Sequence, residues 1–174
     1  MIIIAGIARS GLTVTMQMLH SGGFPCVGEW PAFEPYGFGE KPWDECQGKA
    51  VKLVDAQLQL PADGRYNIIR LHRDAKQQAK SHKKLMQAIL GRSIGVSAGQ
   101  VIESFAADYA VIDRWAKEHR TLHLHFEDII KQPMETARKL AEWTEKPLDV
   151  EKMASCVIKR KTDCHPTLLE LEMI

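Results

Sequence analysis

The chain opens with a strand, a glycine-bounded loop and a helix in unbroken succession, an order that commits it to a parallel α/β sheet. Ile2 to Ala5 is a continuous apolar run rich in β-branched residues, which suits a strand buried on both faces. Gly6 to Gly11 is a short loop, and from about Thr13 to Leu19 apolar residues recur at helical spacing. Strand, loop and helix in that order are the opening unit of many parallel sheets.

The rest of the chain repeats the alternation. Gly22 to Gly48 is rich in Gly, Pro and aromatic residues and is predicted to be a largely irregular surface excursion, either a binding loop or a packed connector. Lys49 to Val54 reads as a second strand, followed by Gln57 to Leu60 and a turn at Pro61–Gly64. Tyr66 to Leu71 is a third strand, Asp74 to about Leu90 a polar helix, and Gly91 to Gly99 a joint. Val101, Phe105, Tyr109, Ile112 and Trp115 recur every three or four residues and mark a helix over Val101–Glu118. Thr121 to Phe126 alternates Leu122, Leu124 and Phe126 as a fourth strand, and a helix follows from about Pro133 to Trp143. Strands alternating with helices call for right-handed crossovers and a parallel sheet. At 174 residues one domain spanning 1–174 is expected.

Composition narrows the function. With 23 basic and 22 acidic residues the net charge is +1, which lacks the basic excess of a nucleic-acid-coating or membrane-surface protein. Cys26, Cys46, Cys156 and Cys164 are scattered without metal-ligand spacing. The run Met1–Ala5 is too short for a signal core or a bilayer span. A soluble, cytoplasmic protein with no nucleic-acid or membrane partner is the expectation.

Gly6-Ile-Ala-Arg9-Ser10-Gly11-Leu12-Thr13 has the frame of the phosphate-binding pattern G-x-x-x-x-G-K-[ST], in the strand-to-helix context that pattern requires. There successive backbone N–H groups and the helix N-terminus face an anion. Leu12 stands where a lysine normally reaches the outer phosphates, and Arg9 inside the loop is the substitute cation. The plainer alternative is a strand-to-helix turn with a chance glycine pair.

Ala8-Arg9-Ser10-Gly11-Leu12-Thr13 resembles the P-[RK]-S-G-T-[ST] loop of the sulfotransferase family, which uses 3'-phosphoadenosine 5'-phosphosulfate (PAPS) as donor. Arg73 at a strand end and Ser81 eight positions on resemble that family's second signature, which holds the donor's 3'-phosphate. Physically, a guanidinium and a hydroxyl two helical turns apart are able to meet on one phosphate. Gly48–Lys52 followed by Leu60-Pro61 resembles the family's strand with a lysine near the transferring group. Leu124 to Pro133 is similar to its Y-E-D-L-x-x-x-P segment, in which Glu127 and Asp128 read as structural anchors.

The resemblance implies a P-loop NTPase/sulfotransferase-like α/β fold, a three-layer sandwich around a central parallel sheet. It implies an enzyme moving a sulfuryl group from PAPS to a hydroxyl or amine on a small-molecule or glycan acceptor, with no metal required. Arg9, Ser10, Gly11, Leu12, Thr13, Arg73 and Ser81 would bind the donor, while Arg9 and Lys52 would steady the sulfuryl oxygens and the departing phosphate. Val54 occupies the position of the catalytic histidine of many members, and the family's C-terminal R-K-G-x-x-G clasp has only Lys159-Arg160-Lys161 as a loose substitute. The proton acceptor is therefore sought among carboxylates: Glu40, in a G-[FY]-x-E stretch like that of some bacterial members, with Glu34 and Asp55 as rivals.

Two histidine pairs complete the reading. His123 and His125 alternate on a strand and share one face, without an evident third metal ligand. His72 and His82 flank the proposed 3'-phosphate site, either as extra donors or as solvated rings. Two other functions stay open: an ATP-using P-loop kinase, against which Leu12 speaks, and a nucleotide-binding protein without turnover.

Overall fold

The structure is a computed structural model and describes residues 1–34, 43–61 and 64–164. Four strands, β1 (Ile2–Gly6), β2 (Ala50–Val54), β3 (Asn67–His72) and β4 (Arg120–His125), form one sheet in the order β2-β1-β3-β4. Every pairing is parallel, with Ile2 opposite both Ala50 and Asn67, and Asn67 opposite Arg120. Among the described residues six α-helices accompany them: α1 (Leu12–Ser21), α2 (Ala75–Leu90), α3 (Ala98–Ala116), α4 (Phe126–Lys131), α5 (Pro133–Thr144) and α6 (Val150–Ser155).

The buried strands sort their side chains by parity into two cores. Ile2, Ile4, Ile69, Leu71 and Leu124 face α1, α4, α5 and α6, meeting Met16, Leu19, Ile129, Leu140 and Met153. Ile3, Ala5, Val51, Leu53 and Ile68 face the other way, onto Ala79 of α2 and Val101, Phe105, Ile112 and Ala116 of α3. The fold is thus α/β in three layers, helix, parallel sheet, helix, as the alternation required.

The order of the strands positions the site. β1 connects outward to β2 on one side, while the chain then crosses to build β3 and β4 on the other. The neighbours β1 and β3 therefore send their following helices, α1 and α2, to opposite faces of the sheet. That reversal makes the carboxyl ends of β1 and β3 the switch point of the sheet, where open α/β sheets bind ligands.

Two helices depart from the sequence reading. Phe126 continues the alternation of Leu122 and Leu124 in sequence, yet it is the first residue of α4. Glu127 and Asp128 lie in that helix's first turn, where carboxylates suit the positive end of the dipole. Gln132, at φ −131°, separates α4 from α5, whose first residue is Pro133, as the residue before a proline is driven out of helical geometry. The six-residue α6, capped by the Asp149 carboxylate accepting from Lys152 N–H, carries too short an apolar pattern to be read alone. Gln57–Leu60 contributes only part of a single 3₁₀ turn over Ala56–Leu58. No helix among the described residues is long and apolar enough to cross a membrane.

Candidate functional site

The loop after β1 is clamped from three directions. The Ala8 N–H donates to Asp55 Oδ1 at 2.9 Å, just past β2. The Ala8 carbonyl accepts from Gln78 Nε2 of α2 at 3.0 Å, and the Arg9 carbonyl accepts from Arg73 Nη1 at 2.8 Å. Because N–H and C=O of a trans peptide point oppositely, tying the Ala8 carbonyl to Gln78 turns the Arg9 N–H away from α2. Arg9 adopts φ +69° and Gly11 φ +104°, the latter in the left-handed region glycine enters without a Cβ penalty. A Cβ on Gly11 would also meet the Phe126 ring at 3.0 Å, and one on Gly6 would meet Ser10 Oγ at 2.6 Å. Both glycines are required by contact.

Arg9, Arg73 and Ser81 lie together beyond the ends of β1 and β3. Arg9 Nε donates to Ser81 Oγ at 2.9 Å. Arg73, buried at 7% exposure, lies over the Phe126 ring with its guanidinium carbon 4.0 Å from the centroid. Its Nη2 donates to the Thr162 carbonyl at 3.3 Å, while its Nε is buried with no partner. Ser10 Oγ is likewise buried and unpartnered. Orphaned buried polar atoms of this kind are costly and call for a partner, and in a cluster of guanidiniums the fitting partner is an anion.

A third cation joins them. Arg160 lies over the same Phe126 ring, 5.3 Å from its centroid, and its segment is held by the Cys164 N–H donating to Gln77 Oε1 at 3.0 Å. Burial first, then the charge of Arg160, depresses both the Arg9 and Arg73 guanidinium pKa values, the latter to about 10. All three guanidiniums stay charged at neutral pH. Clustered like charges of this kind raise the local positive potential.

Lys52 belongs to a neighbouring part of the site. Its side chain rises from β2 with Nζ donating to Thr13 Oγ1 at 3.1 Å, to Glu34 Oε1 at 2.6 Å and to the Ala32 carbonyl. Burial is the main influence and lowers its pKa, and Glu34 opposes that. Leu12 packs its side chain into the apolar core, so what it offers a ligand is its N–H, one of the unpaired first-turn donors of α1. Arg9 is bonded toward α2, through Ser81, whereas Lys52 is bonded toward α1, through Thr13. Of the three carboxylates considered as proton acceptors, Asp55 is tied to the loop, Glu34 to Lys52, and Glu40 lies outside the described residues.

Behind the loop runs a buried network absent from the sequence reading. Gln78 is fully buried and accepts at Oε1 from Tyr109 OH at 2.8 Å. Arg70, also fully buried, lies 4.3 Å beneath the Tyr109 ring and donates Nε to Asp113 Oδ1 at 2.7 Å. Glu127 accepts from the Asp74 N–H at 3.1 Å, which fixes the start of α2 and is an anchoring role. His82 packs edge-on to Phe105 and lies within the electrostatic reach of Asp55 and Arg9. His72 stacks with both His123 and His125. Among the described residues no group of three His, Cys, Asp or Glu is placed to hold a metal ion.

No family model matches the sequence, and no curated protein matches it either. Among solved structures the chain is similar to a sulfotransferase from Mycobacterium avium, with a TM-score of 0.58 and 12% sequence identity over 88% of this chain. It spans 65% of that protein's length. At such identity the likeness is one of fold alone: a four-stranded parallel sheet between helices, arranged as in that sulfotransferase.

Proposed function

We propose that this protein binds PAPS beyond the carboxyl ends of β1 and β3 and moves its sulfuryl group to a hydroxyl or amine acceptor. The observation that carries the reading is the convergence of two cradles distant in sequence, with Arg9 bonded to Ser81 and Arg73 bonded to the Arg9 carbonyl. Arg73, Ser81 and Arg160 would take the 3'-phosphate. The N–H groups of Arg9, Gly11, Leu12 and Thr13 would face the 5'-phosphosulfate, with Ser10 Oγ an additional donor. Lys52 would meet charge growing on the bridging oxygen as the S–O bond breaks, the electrostatic role such transfers require. A carboxylate, Glu40 or Glu34, would take the acceptor's proton.

A second reading, nucleotide binding without turnover, is favoured by Val54, which leaves no histidine at the position resembling the family's base. Thermal shift with adenosine 3',5'-bisphosphate (PAP), with ATP–Mg and without ligand separates nucleotide classes by mass action. PAP is expected to raise Tm in the wild type and to lose most of that effect in Arg73→Ala. Stabilisation by ATP–Mg alone would overturn the reading. Incorporation of labelled sulfate from PAPS into a pooled metabolite extract then decides between turnover and binding alone.

A further inference from the structure

Lys52 has no donor left to give. An ammonium carries three N–H groups, and its Nζ spends them on Thr13 Oγ1, Glu34 Oε1 and the Ala32 carbonyl. The side chain is sealed, at 1% exposure, so a ligand oxygen reaches it only by replacing one of those three partners. Thr13 belongs to the first turn of α1 and the Ala32 carbonyl to the backbone. Glu34 is the partner built to leave: its side chain is 55% exposed, and its carboxylate has the charge of a phosphate or sulfuryl oxygen.

We propose that Glu34 is a resident substitute for the donor's 5'-side oxyanion, occupying the Lys52 seat in the ligand-free chain and exchanged for a nucleotide oxygen on loading. The inference rests on the proposed function and adds to it an internal competitor. Apparent affinity for any nucleotide with a 5'-anion is reduced by the fraction of chains in which Glu34 holds the seat, whereas a ligand lacking that anion has nothing to displace. Exchange keeps the buried ammonium paired at every stage, which avoids the cost of an uncompensated charge. It also frees a carboxylate beside Lys52 only when a nucleotide is present.

The test uses calorimetry on the full chain with two probes, PAP and adenosine 3'-monophosphate, which lacks the 5'-anion. Glu34→Gln leaves only a neutral acceptor for Lys52 and should tighten PAP about five- to tenfold, with adenosine 3'-monophosphate unchanged. Glu34→Asp keeps the charge but shortens the reach, and should tighten PAP as well. PAP binding equally to wild type and Glu34→Gln sinks the exchange while leaving the proposed function intact. Equal tightening of both probes, or tightening in Gln but not Asp, also sinks it, since either marks a general field effect rather than occupation of the seat. Failure of PAP to bind either wild type or Glu34→Gln removes the nucleotide reading itself and the exchange with it.

Discussion

The guanidinium of Arg73 holds the carbonyl of Arg9, Nη1 to O at 2.8 Å, so a side chain at the end of β3 shapes the backbone at the end of β1. Under the proposed function Arg73 would therefore be both a ligand for an anion and a brace for the loop that binds its other end. Arg73→Lys separates these roles, because it keeps the charge but not the planar fork. One ammonium cannot serve the Arg9 and Thr162 carbonyls while lying flat on Phe126. PAP affinity is expected to fall about tenfold or more, measured by calorimetry, with secondary structure unchanged by circular dichroism.

Gly6 is where the loop is most tightly packed. Gly6→Ala puts a methyl 2.6 Å from Ser10 Oγ, and overpacking of this kind costs about 1–3 kcal/mol. Tm should drop by several degrees, and the double variant Gly6→Ala/Ser10→Ala should recover part of the loss. No recovery in the double variant would place the strain elsewhere, against Leu12 or Leu71.

Gln78 links the loop to α3. Gln78→Leu has nearly the same shape but strands both the Ala8 carbonyl and the Tyr109 hydroxyl, and is expected to cost about 2–4 kcal/mol by urea denaturation. Tyr109→Phe removes one bond and should cost about 1 kcal/mol. Under the proposed function both raise KM for the donor, since the loop is held less firmly.

The histidine stack makes stability depend on acid. Burial first, then the charges of Arg70, His125 and His123, pushes the His72 pKa down to about 4, with Asp113 opposing. In the unfolded chain the value returns to about 6.5. Between these values the unfolded state binds more protons, so stability falls as pH drops from about 6.5 to 4 and levels off below. His72 is only partly buried, so solvent screening reduces the effect to the order of 1 kcal/mol. His72→Asn should flatten that part of the pH–Tm curve, and an unchanged slope would assign it to other groups.

What the sequence made legible was local. Ile2–Ala5, the glycine frame and the eight-residue step from Arg73 to Ser81 each carry their meaning within two or three turns of chain, and the structure brings the last two together. Phe126 misled because a period of two continues by chance across the strand end into α4. Gln78 and Arg70 were invisible for a different reason. A glutamine in a polar helix and an arginine in a strand both read as surface residues, and only partners 31 and 43 positions away make their burial affordable. Arg160 carries only a weak likeness in sequence, since nothing near it shows that it returns to Phe126. Glu40, the favoured proton acceptor on the sequence, lies outside the described residues.

Thr162 lies 89 positions downstream of Arg73, and Arg160 arrives with it. During synthesis, then, the sheet and both cradles are complete well before the last guanidinium is delivered. A protease cut just before Lys159 would separate Arg160 and Thr162 from the residues that Arg73 and Phe126 present to them. Under the proposed function, nucleotide capture in such a nicked sample should survive in kind but dissociate faster, so residence time on an immobilised nucleotide reports whether the stretch carrying Arg160 and Thr162 is in place.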